Sequence, residues 1–519
     1  MLQYADDTLI LLQGELEQII CLKNILSSSS FSGLHINFDK STFIPLNIPP
    51  PIAAEMASTL GCPISSFPQP YLGLPLTATK IRISDLQPLL NRFDNYFAGW
   101  RGHFLSQGGR EVLVNAVQSN FPIYSMCSIL LPKGAIDIID AKRRAFLWTG
   151  DKKCSGAACK APWDLVLLPK SKGGLGIKDL HVQNKCLLQK FLLKLHEPPT
   201  APWQMWFSNK YGWSSSSNLG DVHSSDTAVW LGILDGLPDF RHFSSVQVGD
   251  GAYTSFWHDH WLGGTTFMHS FPALYSHSRQ SNISVAKAIS GDSLSLSLHP
   301  RLTAAATAEL NSLAALISDV RLSPNRRDVR HMRGLPSTAF SSAISYSLSF
   351  SHLDDDVFAP SIWHNAAPSR CRSFLWLVHH HKLNTNAHLH ERRANNSGRC
   401  PACASPENIP HLFLLCHRAQ EFWSTLGLSV SSITSIESLW NASLPGPSIP
   451  NQKLRSTILT AILWNIWKRR NALVFRNEHE TCHVALRRCA ADLYLWRHRM
   501  QNAQAKVCLE DWSTFLCNR

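Results

Sequence analysis

With 519 residues, 44% of them hydrophobic and 17% charged, the chain has the length for about three or four domains and enough apolar material for sizeable cores. No apolar run reaches the ~18 residues of a membrane span, and acidic residues stand where a signal peptide would be basic, so the expectation is a chain that neither spans a membrane nor is secreted. The 14 scattered cysteines then fit reduced thiols in an intracellular chain, nuclear or cytoplasmic, and a net charge of +12 at pI ≈ 9.1 favours a polyanionic partner, with no small-molecule substrate evident.

Residues 1–12 read Met-Leu-Gln-Tyr-Ala-Asp-Asp-Thr-Leu-Ile-Leu-Leu. Two short apolar runs flank Asp6 and Asp7, which predicts a hairpin carrying both carboxylates at its tip. Adjacent carboxylates repel, and a hard cation such as Mg²⁺ relieves the repulsion; a solvated turn that carries two Asp explains the same pattern. Leu16, Ile19, Ile20 and Leu26 recur at helical spacing, with Lys23 as a polar break, so residues 15–30 read as a helix. The Pro-rich stretch 45–51 is a loop, 55–60 a short helix, and 71–76 a short strand or turn. Residues 84–150 read as helical, with Ser106 as an N-cap. Lys142, Arg143 and Arg144 near the end of that region either track a phosphate backbone or line a solvated face.

Residues 151–200 carry 9 basic and 4 acidic side chains. Gly173-Gly174-Leu175-Gly176-Ile177 does not match a dinucleotide loop and reads as a turn. A helix over 180–195 exposes Lys185, Lys190 and Lys194. Val246 and Val248 alternate before Gly249-Asp250-Gly251, predicting a hairpin over 244–262 that returns through 253–257. In the same stretch His258 and His260 are read with Trp257 and Trp261 as packing residues and not as a metal pair. Residues 276–350 are Ser/Ala-rich and read as a weakly ordered linker, with a helix in 302–320. Asp354-Asp355-Asp356 reads as a loop or helix-start charge cluster.

Residues 361–519 carry 19 basic and 9 acidic side chains. Cys400, Cys403, His411 and Cys416 give Cys-x₂-Cys-x₇-His-x₄-Cys. A Cys-x₂-Cys pair aims two thiolates at one point, and a following His and Cys complete a closed N/S tetrahedron, the set of a structural Zn²⁺. His417 is an alternative to Cys416 or His411. His379, His380, His381, His388 and His390 are spare ligands upstream. A helix over 458–475 carries Trp464 and Trp467-Lys468-Arg469-Arg470-Asn471.

Tyr4-Ala5-Asp6-Asp7, then Ser32-Gly33-Leu34-His35-Ile36-Asn37 with Lys40-Ser41, then Tyr71-Leu72-Gly73-Leu74-Pro75-Leu76 resemble, in order, three blocks of the reverse transcriptases of plant non-LTR (LINE-type) retrotransposons. Further blocks continue the resemblance: Trp100-Arg101 with Gly108-Gly109-Arg110, the Gly173–Ile177 turn, and Trp257, Asp259 and Trp261. The Cys/His segment and the Trp464–Asn471 helix extend it further. The resemblance implies an α+β, predominantly helical fold. A partial palm would fill 1–80 and a thumb-like helical region 81–150. A basic connector with a hairpin would follow over 151–265, and a linker over 266–355. A small zinc-binding helical domain is expected over 356–440 and a helical region over 441–519. It makes Asp6 and Asp7 vestigial Mg²⁺ ligands of an RNA-directed DNA polymerase. It also makes Arg370, Arg372, Arg392, Arg393 and Arg399, with Lys142, Arg143 and Arg144, contacts to RNA or DNA. The family's third metal-binding Asp lies upstream of the Asp-Asp hairpin, and no Asp precedes Tyr4 here. Two-metal chemistry needs the full ligand set, so the expectation is a zinc-binding, nucleic-acid-binding reverse transcriptase fragment that does not polymerise by itself. A polymerase subunit active only with an N-terminal part, and a remnant without a selected role, are the other two readings.

Overall fold

In the computed structural model of the chain, the described residues are 1–33, 35–96, 102, 104–211, 226–290, 293–392 and 397–519. Leu34, Trp100, Arg101 and Arg393 therefore lie outside the described residues. The fold is α+β and predominantly helical, with short strands. The chain divides into two compact units, Met1–Leu90 with Ser224–Leu231, and Asn91–His223 with Gly232–Arg519.

The first unit opens with an antiparallel hairpin, Leu2–Tyr4 against Asp7–Leu9, in which Tyr4 faces Asp7. Ala5 turns the chain with φ 51°. Helix Leu16–Ser28 buries Ile19 against Met56, Leu60 and Cys62 of the following helix and its end. Ile20 is exposed, so the apolar stripe is narrower than the spacing alone suggests. Lys23, the polar break in that stripe, donates to the Leu60 carbonyl and lies 3.7 Å from the Phe38 ring centre. A cation at a helix C-terminus answers its unpaired carbonyls and its dipole. That second helix is Pro50–Leu60, longer than expected, because Pro in the first turn costs no hydrogen bond. Strands Gln69–Tyr71 and Leu74–Leu76 pair through a two-residue turn in which Leu72 and Gly73 both have positive φ.

In the second unit one hydrophobic core draws on residues 114–177 and 359–516. It joins Val114 and Phe146 to Leu175 and Ile177, then to Ile362, Leu375 and Trp376, to Phe413 and Trp423, and to the C-terminal helices. The zinc segment expected at 356–440 therefore has no core of its own. Its centre is the helix Gln452–Arg476, which is buried on nearly every face by Leu454, Ile458, Leu459, Ile462, Leu463 and Ile466. Helices Ser369–His379, Cys482–Trp496 and Ala503–Cys517 pack against it.

A second core within this unit gathers Phe256, Trp257, Phe267, Leu274, Val285, Leu313 and Ile317. The stretch 266–355, expected as a linker, is thus packed. Helix Ala304–Ile317, N-capped by Thr303, supplies Leu313 and Ile317. The local hairpin expected over 244–262 does not form. Ser244–Gln247 pairs instead with Val329–Met332, which pairs with Leu335–Ala339. The reason is electrostatic. The Asp328 carboxylate accepts from the backbone N–H of Gly249 at 2.7 Å and of Gly251 at 2.9 Å, and from Thr254 Oγ1 at 2.7 Å, so the glycine turn closes on a distant residue. Beside it Asp259, fully buried, takes two hydrogen bonds of 3.0 Å from the Arg330 guanidinium.

Candidate metal centre

The Cys400 loop is shaped before any metal is considered. Gly398 adopts φ 73°, and Ala404 adopts φ 58°, so the chain reverses tightly on both sides of Cys400. The Cys400 N–H donates to the Ser405 carbonyl at 2.7 Å, and the Ala404 N–H donates to the Cys400 carbonyl at 2.9 Å. His411 opens the short turn His411–Leu415, its N–H held by Asn408 Oδ1 at 2.8 Å. Cys416 stands at the N-cap of helix His417–Leu426, where the unpaired N–H groups and the helix dipole favour a thiolate.

These three pieces bring the four side chains together. The sulfurs of Cys400, Cys403 and Cys416 and one nitrogen of His411 all lie within 4.8 Å of one another. Cys400 Sγ and Cys416 Sγ are 3.8 Å apart, and Cys403 Sγ and His411 Nε2 are 3.2 Å apart. Two thiolates on a tetrahedral Zn²⁺, with Zn–S of about 2.3 Å, are themselves about 3.8 Å apart. Cys400, His411 and Cys416 are buried and Cys403 is exposed. Without a cation the neighbouring Cys416 sulfur, and then burial, push the Cys400 thiol up to about 12, while the hydrogen bond from Cys400 draws Cys416 down. Two sulfurs this close suit one divalent cation held between them. The donor set fits Zn²⁺: soft and borderline ligands, four in number, three of them buried. His388, His390 and His417 are not in the group.

Glu407 and Asn386, which the sequence reading passed over, join arginines of the Trp464–Asn471 helix in holding the loop in place. Glu407, fully buried, accepts from the Asn386 N–H at 2.8 Å and from Arg470 Nη2 at 2.6 Å and Nε at 3.0 Å. Arg470 also donates to Asn386 Oδ1 at 2.8 Å. Arg469 donates to Glu421 at 2.7 Å and to the Arg418 carbonyl at 3.0 Å. The basic run at 468–470 is therefore largely a strut from the long helix to the Cys/His segment. A buried cation in sequence looks like a surface one; only the spacing of its partners in space separates them.

The other predicted sites are scattered. Arg143 is not available to a nucleic acid, because it is fully buried, bonded to Asp140 and Ser119 and to the Lys178 carbonyl. Lys142 pairs with Asp94 at 2.6 Å, and Arg144 is half-buried. Arg372 is half-buried and donates to the Trp363 carbonyl at 3.0 Å, and burial lowers its pKa. Arg392 donates to the Gly156 carbonyl at 2.8 Å. Arg370 and Arg399 are exposed. Arg476, Arg487, Arg499 and Lys506 on the C-terminal helices are exposed as well, and the sequence reading did not single them out. Asp6 and Asp7 are exposed at the hairpin, and among the described residues neither belongs to a group of three metal-ligating side chains. No helix among the described residues is long and apolar enough to cross a membrane.

Comparison with known proteins places this geometry. Residues 340–423 match the family described as zinc-binding in reverse transcriptase. The chain is 26% identical over 374 residues, 67% of its length, to the "Putative ribonuclease H protein" of Arabidopsis thaliana, and spans 57% of that relative. It is 25% identical over 142 residues to an uncharacterized mitochondrial protein of Arabidopsis thaliana, covering 27% of this chain and 92% of the relative. These similarities support a retrotransposon-derived chain that carries, at residues 340–423, a zinc-binding segment of the kind found in reverse transcriptases.

Proposed function

We propose that the chain is a LINE-type, retrotransposon-derived reverse transcriptase segment whose C-terminal half grips RNA or DNA around a structural zinc site. Cys400, Cys403, His411 and Cys416 hold the Zn²⁺. Four protein donors leave no open position, so the ion supplies folding energy and not Lewis-acid chemistry. The observation that carries this reading is the Cys₃His cluster inside the matched segment. Arg370 and Arg399, and Arg476, Arg487, Arg499 and Lys506 further on, supply solvent-facing cations for a phosphate backbone. Contacts of that kind release counterions, so binding is tolerant of sequence and sensitive to salt.

The Asp6–Asp7 hairpin supports a palm lineage. In-line phosphoryl transfer needs ligands for two ions, and in this reading Asp6 and Asp7 alone do not hold them, so the chain by itself does not extend a primer. An electrophoretic shift assay with single-stranded RNA and DNA tests the binding. The expected result is a shift at low salt that fades log-linearly as salt rises; no shift at low salt overturns the reading. Robust Mg²⁺-dependent primer extension by the purified chain would overturn the claim that it does not polymerise.

A further inference from the structure

Away from the Cys₃His cluster, Asp356, His379 and His380 meet beside the glycine turn at 173. One oxygen of Asp356 and one nitrogen of each imidazole lie within 4.8 Å of one another. Each imidazole is already oriented through its other nitrogen or its ring. His379 Nδ1 donates to Glu437 Oε1 at 2.8 Å, and Nε2 lies 3.2 Å from Asp356 Oδ2, where a proton joins the two and a divalent cation would take that proton's place. The His379 ring is stacked on Phe358 at 4.8 Å. His380 Nε2 lies 2.7 Å from the Gly173 carbonyl, which only accepts, so Nε2 carries the proton and Nδ1 the lone pair. That carbonyl is itself fixed by Trp376 Nε1 at 2.7 Å. Histidines that bind metals donate their second N–H to a carboxylate or a backbone carbonyl in this way. Nitrogen and oxygen donors on a tetrahedral Zn²⁺, at about 2.0–2.1 Å each, sit about 3.3 Å apart. The turn also leaves room for it. Gly173 has φ 84°, and a Cβ there would stand 3.1 Å from Asp356 Oδ2 and 3.4 Å from His380 Cε1.

We propose that Asp356, His379 and His380 form a second divalent-cation site, suited to Zn²⁺, with its remaining position open to solvent. Imidazole and carboxylate donors select a borderline cation of this type. Bound there, the ion joins the segment before the Cys/His region to the end of helix Ser369–His379. It draws the two together against the turn at 173, independently of the Cys₃His site.

Zinc content per chain, measured on the full-length protein after equilibration in a zinc buffer, tests this. The expected values are two equivalents for the unchanged chain, one for Asp356→Asn, one for His379→Gln and one for Cys400→Ser. One equivalent in the unchanged chain, retained in Asp356→Asn, would overturn the second site; a proton on His379 would then hold Asp356 and Glu437 together. Loss of nothing in Cys400→Ser would instead overturn the first site, so the two failures are distinguishable. Should the Asp356 and His379 variants fail to fold, Co²⁺ bound to the Cys400→Ser chain decides. Weak d–d bands without thiolate charge transfer are expected, and the absence of bound Co²⁺ overturns the proposal.

Discussion

Two arginines 71 residues apart in number illustrate what a side chain's neighbours do to its meaning. Arg399 is exposed and donates to the Ala404 carbonyl at 3.1 Å. Arg470 is buried, with both its charge and its donors spent on Glu407 and Asn386. Removing one partner of a buried pair leaves the other charge uncompensated, which costs about 3–5 kcal/mol. Arg470→Ala should therefore lower the unfolding free energy by about that amount in a urea melt. Arg399→Ala should stay within about 0.5 kcal/mol and weaken nucleic-acid binding instead. At this scale the grouping of Cys400, Cys403, His411 and Cys416 was legible in the sequence, because residue type and spacing carry the geometry. Glu407 and Arg143 were not, because nothing in a linear sequence says which charged side chain is dry.

At the scale of elements, local signals read well and distant partners did not. The Asp-Asp hairpin, the Ser106 N-cap, which accepts from the Gly109 N–H at 3.2 Å, and the helix beginning at Leu180 follow from short-range chemistry. The strand Ser244–Gln247 was assigned to a local hairpin because its turn residues are good ones, yet its partner lies about 85 residues on and is chosen by Asp328 and Arg330. The Asp259–Arg330 pair beneath that sheet predicts an acid response. Burial alone would raise the Asp259 carboxyl, but the Arg330 and Arg241 guanidiniums outweigh it and hold it far below the ordinary carboxylate range. Its folded-state pKa is thus depressed. Its stabilisation is full above about pH 4, the unfolded Asp range, and is lost as pH falls from there toward the folded value. Asp259→Asn should cost about 3–5 kcal/mol at neutral pH, and the gap from the unchanged chain should narrow below about pH 4 in paired urea melts. A gap that widens in acid would contradict this sign. At the turn, Gly173→Ala should cost about 1–2 kcal/mol, the price of a left-handed backbone for a residue with Cβ.

At the scale of the whole molecule, composition misled about order. Ser and Ala over 276–350 suggested a linker, but a few residues such as Leu313 and Ile317 suffice to seat a helix when aromatic rings elsewhere supply the volume. Boundaries drawn by resemblance likewise divided a stretch that shares one core, since Phe374 packs on Trp464 with ring centres 5.0 Å apart across the expected border at 440. Stripping zinc should therefore be felt beyond the loop: chelation is expected to lower the thermal midpoint of the C-terminal helices along with the Cys/His segment, followed by tryptophan fluorescence. The central claim is the closed Cys₃His site, and a Co²⁺ titration tests it most directly. The account predicts thiolate-to-Co²⁺ charge transfer that saturates at one equivalent per chain and disappears in Cys400→Ser. Co²⁺ binding to the unchanged chain that gives no charge transfer at any ratio, or charge transfer undiminished in that variant, would contradict it.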